Sequence, residues 1–172
     1  GWPASMVGIP YDALDNWRSV YPTETFVAQM QKVADGFAAG CELLQKAVAV
    51  SKGKYRKQLT DDLGRARTVG IHCASSANQA RFTEARNRLL TSTDRDERRR
   101  YIDTMRRAAE AEAELTADLL PIVRNDPTIG YESSNHYFYV PQDLLEKQLN
   151  IRYVLDWLDR QAEPRNSETF QQ

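Results

Sequence analysis

Asp126-Pro-Thr-Ile-Gly-Tyr-Glu-Ser-Ser-Asn-His-Tyr-Phe-Tyr-Val-Pro141 is the only long interruption in an otherwise helical sequence, and it decides how the chain is organised. Three stretches with helical periodicity precede it and one follows. Three tyrosines, a phenylalanine, a glutamate, an asparagine and a histidine crowd into these residues. A loop with that content is either a packed closure or a site.

Upstream, Pro22 suits a first helical position, and Glu24 follows where the helix dipole favours an acid. Phe26, Met30, Val33, Phe37, Cys41, Leu44 and Val48 recur at spacings of three and four. That spacing predicts a helix over 22–51 with a buried stripe, ended by Gly53. A second helix is expected over 54–91, with one stripe of Leu59, Leu63, Ala66, Gly70, Cys73 and Ala77. Ile71, Ala74, Phe82, Ala85 and Leu89 form another beside it, so two of its faces should be covered.

The third helix starts at Asp94, with Glu97 three residues on as in a capping box. Its apolar stripe holds Tyr101 or Ile102, Met105, Ala108, Ala109, Leu115, Leu119 and Leu120, interrupted by Glu112. Pro121 should end or kink it, because proline removes a donor and clashes with the preceding turn. A fourth helix begins at Pro141, with Asp143 in its first turn and a core face of Leu144, Leu145, Leu149, Val154, Leu155 and Leu158.

Short connections between long helices make neighbours antiparallel. The expected fold is therefore all-α: an up-down antiparallel bundle of about four helices with a long aromatic loop before the last. Residues 1–21 carry Trp2, Tyr11 and Trp17 without helical periodicity and read as an extended arm packed on the bundle. Residues 22–163 form the bundle and 164–172 a polar tail.

Size and charge narrow the function. At 172 residues the chain suits one domain with a sizeable core. Its net charge of −1 supplies no field to draw it to nucleic acid or an anionic membrane. The arginines at 95, 98, 99, 100, 106 and 107 are interleaved with acids, as on a solvated face. Nothing at the start reads as a signal peptide. Cys41 and Cys73 lie about 12 Å out of step along paired helices, which leaves two buried free thiols rather than a bridge.

The sequence has no metal-ligand spacing around His72 or His136, so no metal and no cofactor is expected. His72 with Ser75, Ser76 and Gln79 forms a polar band on one helix face, without the third group that orients a nucleophile and base. Glu112 should pair with an arginine or tyrosine of a neighbouring helix. Gly36 and Gly40 should oppose Gly70 and Gly64 where the first two helices cross at close range. The best candidates for ligand binding are Tyr131, Glu132, Asn135, His136, Tyr137 and Tyr139, with no catalytic residue assigned. A lone Glu132 is not the paired carboxylates that glycoside hydrolysis uses.

Trp17-Arg-Ser-Val-Tyr-Pro22, followed by Phe26, Gln29, Lys32, Gly36 and Gly40, resembles a stretch in large, mostly bacterial proteins. Asp126-Pro-Thr-Ile-Gly-Tyr-Glu132, followed by Ser-Asn-His-Tyr-Phe-Tyr139, does so too. Those proteins are of the glycoside-hydrolase type that processes polysaccharides, with a helical region downstream of a catalytic barrel. The resemblance implies a non-catalytic helical accessory module whose partners are the catalytic domain of a parent chain and carbohydrate. It also implies a secreted or periplasmic setting. The alternatives are a self-contained helical interaction or oligomerisation module, and a small-molecule enzyme using Glu132 with His136 or His72.

Overall fold

The structure, a computed structural model, describes residues 13–132 and 137–162; the side chains of Trp17, Glu132, Tyr137, Phe138 and Ala162 lie outside that description. It is all-helical, with five helices packed together: α1 (Leu14–Trp17), α2 (Thr23–Val50), α3 (Gly53–Thr91), α4 (Arg95–Asn125) and α5 (Pro141–Ala162). Two-residue strands, β1 (Tyr131–Glu132) and β2 (Tyr137–Phe138), pair antiparallel between α4 and α5 with Tyr131 opposite Phe138.

Local chemistry sets the helix ends. Gly53 adopts φ +57°, a left-handed conformation that glycine enters without a Cβ penalty, and this lets α3 start with only Ser51 and Lys52 between it and α2. The Asp94 side chain accepts from the Glu97 amide at 2.8 Å, so the expected cap forms. The Glu97 carboxylate turns to the Ser92 hydroxyl at 2.9 Å. At α5 the Asp143 carboxylate accepts the Val140 amide at 3.0 Å.

Pro121 does not end α4, which runs on to Asn125. Ile122 and Val123 pack into a cluster with Leu119 and Leu144, and that burial outweighs the roughly 3 kcal/mol a proline costs inside a helix.

Packing joins each long helix chiefly to its neighbour in sequence. Thr23 meets Glu84 while Phe37 lies against Gly70, so α2 and α3 run antiparallel. Ser75 meets Glu112 and Gly64 lies near Ile122, which gives α3 and α4 the same relation. Arg106 pairs with Asp159 and Ala113 with Gln148, repeating it for α4 and α5. Two apolar clusters result. One holds Ala85, Leu89, Ile102, Met105 and Leu158; the other holds Leu119, Val123 and Leu144.

The first two helices depart from expectation. Of the seven stripe residues on α2, Cys41 is buried, Phe26, Met30, Phe37, Leu44 and Val48 are half-buried and Val33 is exposed, because α2 has chiefly α3 to pack against. Val33, Leu43 and Val50 are exposed at 42, 66 and 82%. Gly70 does sit at a close approach: a Cβ there would lie 3.2 Å from Phe37 Cβ. Gly36 and Gly40 have nothing within 4 Å of the same point; with Ala66 of α3 they border open space of about 520 Å³ instead of closing on Gly70 and Gly64. Leu145 and Leu149, expected in the core, are exposed on α5.

Of the arm expected over 1–21, residues 1–12 lie outside the described residues. Its described end contains the helical turn α1, whose Leu14 is buried, so this part packs as helix and not as extended chain. The tail over 164–172 also lies outside the description. Both cysteines are free; Cys41 is buried, whereas Cys73 is only half-buried.

Candidate functional site

Of the loop residues singled out in the sequence, Tyr131 and Tyr139 are those whose side chains are described, one exposed and one half-buried. Tyr131 is 52% exposed in β1. The backbones of Glu132 and Tyr137 pair across the short ladder, and Asn135 and His136 lie outside the described residues. Tyr139 turns inward: its ring meets His72 edge-on, with centroids 5.2 Å apart, and Lys147 Nζ stands 5.2 Å above it. The Tyr139 amide donates to the Gly130 carbonyl at 2.7 Å. A Cβ on Gly130 would lie 2.7 Å from the Tyr139 carbonyl oxygen, so only glycine fits there. At the loop's start Asp126 Oδ1 accepts from the Thr128 amide and hydroxyl, and the hydroxyl contact lowers the Asp126 pKa below its usual value.

The most concentrated polar chemistry lies between the two apolar clusters. Glu112 on α4 is buried, and its carboxylate accepts from Ser75 Oγ at 2.5 Å, Asn78 Nδ2 at 3.4 Å and Lys147 Nζ at 2.5 Å. Arg81 donates to Asn78 Oδ1 at 3.0 Å and to Gln31 Oε1 at 3.1 Å, extending the network to α2. One polar layer thus crosses all four long helices. Its partners are Ser75, Asn78 and Lys147, in place of the arginine or tyrosine that Glu112 alone suggested.

This layer is built to hold a charge in place, not to move a proton. A buried carboxylate is tolerated when paired and hydrogen-bonded, and three donors meet that need. Ser75 spends its hydroxyl proton on Glu112, and Ser76 donates to the His72 carbonyl at 2.9 Å. His72 is held below its ordinary pKa of 6.5 by burial and the nearby Lys147 ammonium, with Glu112 opposing, so it is neutral at pH 7. Of the expected polar band, Ser75 is buried, His72 and Ser76 are half-buried, and Gln79 is exposed while donating to Ser75 Oγ at 3.0 Å. Gln31, Arg81 and Lys147 escaped the sequence reading; Asn78, one turn beyond Ser75 on the same face, was the available signal.

Beside the layer an open groove of about 760 Å³ runs between α2, α3 and the end of α4. Ala34, Phe37, Leu63, Ile71, Ala74 and Ile122 are among the residues that give it an apolar floor. Asp35, Glu42, Asp61, Asp118 and Asp126 line it against a single guanidinium, Arg67. Among the described residues no three His, Cys, Asp or Glu side chains gather as a metal site would require, and no helix is long and apolar enough to cross a membrane. The chain matches no family model, no curated protein and no solved structure.

Proposed function

We propose that this chain is a non-catalytic helical module that works by docking, through the uncovered side of α2, onto a neighbouring domain. The observation that carries the reading is the state of α2. Its stripe against α3 is only half-buried at Phe26, Met30, Phe37, Leu44 and Val48, and Val33, Leu43 and Val50 on the same helix are exposed. A helix with an apolar face left open stabilises an assembly by covering that face. The saturated hydrogen bonding of Glu112 supports the same reading, since it leaves that carboxylate committed to structure.

The resemblance of residues 17–40 and 126–139 to polysaccharide-processing proteins supplies the proposed setting, an accessory module beside a catalytic domain. In that setting the long helices form an up-down bundle, residues 1–21 add an arm and residues 126–141 close one end. Tyr131, exposed beside the ladder, then offers a ring face at the edge of a carbohydrate cleft. Incubating the pure chain with a panel of polysaccharides tests the non-catalytic part. No released sugar is expected, and turnover abolished by Glu132→Gln would overturn it.

A second reading, self-association, has its own observation. Leu145, Leu149 and Tyr153 recur every four residues on α5 and are 47, 67 and 67% exposed. Light scattering separates the two: a stable dimer broken by Leu149→Asp favours self-association, and a monomer favours docking to another domain.

A further inference from the structure

Resting on the reading of the chain as a docking module, but at a groove that Val33, Leu43 and Val50 do not line, we infer that the cleft between α2, α3 and α4 receives a single amphipathic helix with basic flanks, supplied by a partner protein. Length is the first argument. The lining runs from Gln31 to Gln45 along α2, about 21 Å at 1.5 Å per residue, or roughly four helical turns. That is the reach of a helix of moderate size and far longer than one small molecule needs.

Backbone chemistry is the second. The groove walls are mainly helices, whose interior amides and carbonyls are already bonded within themselves. An extended peptide laid on this apolar floor would leave its own backbone groups without partners. A helix arrives with those bonds made.

The floor and rim then fix what kind of helix fits. Ala66 and Ala74 contribute small side chains from α3 and Ala34 and Ala38 from α2, which lets an incoming helix approach closely. Five carboxylates against one guanidinium favour lysine or arginine along its flanks. Asp61 is bridged to Lys57 at 2.8 Å, so Asp118 on the opposite wall is the cleaner reporter of this complementarity. Apolar stripe inward and basic edges outward is the helix-in-groove mode of recognition.

The test uses the full chain and a fluorescein-labelled 18-residue peptide with a leucine stripe and lysine flanks. Its controls are a glutamate-flanked version and a scrambled one of equal composition. Anisotropy should show saturable binding of the lysine peptide, weakened at least tenfold by Asp118→Lys. Ala38→Trp, which fills the groove from an exposed position on α2, should weaken it equally. Circular dichroism of both variants should match the parent, which separates a blocked groove from a damaged fold. No binding, equal binding of the glutamate or scrambled peptide, or undiminished binding by folded Ala38→Trp would overturn the inference. Sugar release by the pure chain would instead sink the non-catalytic part of the module reading, an outcome separate from failure of the peptide to bind.

Discussion

Lys147 Nζ lies 2.5 Å from Glu112 Oε1, so a cation on α5 neutralises the carboxylate that interrupts the apolar stripe of α4. The Glu112 side chain is 9% exposed and that of Lys147 25%, which places the pair inside the protein and not on its rim. Such a pair adds little net stability, because desolvation offsets the attraction, but it penalises any register that separates its members.

Removing one partner should therefore cost more than removing both. Lys147→Met leaves Glu112 buried and short of its cation, with an expected loss of about 3–5 kcal/mol. Glu112→Leu combined with Lys147→Met should return most of that loss. Urea denaturation of the single and double variants measures the difference, and equal losses in both would show that the pair does not act as a unit.

The glycines should respond in opposite directions. Gly130→Ala forces the backbone at Tyr139 to move and should cost about 1–3 kcal/mol, seen as a lower melting temperature. Gly36→Ala and Gly40→Ala meet nothing within 4 Å and restrict the unfolded chain, so each should raise stability by about 0.5–1 kcal/mol.

His72 should make stability fall on acidification. Its depressed pKa means that the unfolded chain binds a proton at a pH where the native state does not. The contribution is fully present above about pH 6.5 and is lost as pH falls from there toward the lowered native value. Burial of the imidazole, against the Tyr139 ring, and the nearby Lys147 ammonium set that direction, and Glu112 opposes it. His72→Gln should flatten the dependence of the urea midpoint between pH 7.5 and 5.5, on the order of the range around an ordinary histidine pKa. An unchanged slope would assign the effect elsewhere.

Local signals in the sequence located the helices well, since caps and breakers act within a few residues. Asp94 with Glu97, the left-handed Gly53 and Pro141 mark ends that the structure keeps within a residue or two. What a helix packs against is not a local property. The stripe from Phe26 to Val48 identifies the apolar face of α2 but carries no information on whether a neighbour covers it. Glu112 likewise shows its face, while its cation comes from 35 residues away and depends on the register of α5. Pro121 does not stop α4 because a rule about one turn is outweighed by burial of Val123 in the tertiary structure. Of the loop candidates, Tyr139 joined the interior and Tyr131 stayed at the surface, a division that pairing across the ladder decides.

The open face of α2 can be tested by polar replacement at three positions together, Val33→Gln, Leu43→Gln and Val50→Gln, followed by urea unfolding of the isolated chain. An uncovered face predicts a small change, within about 0.5 kcal/mol per position, as for other surface substitutions. A combined loss of about 5 kcal/mol or more, the scale of opening a packed core, would show that this face is already buried and would contradict the docking account.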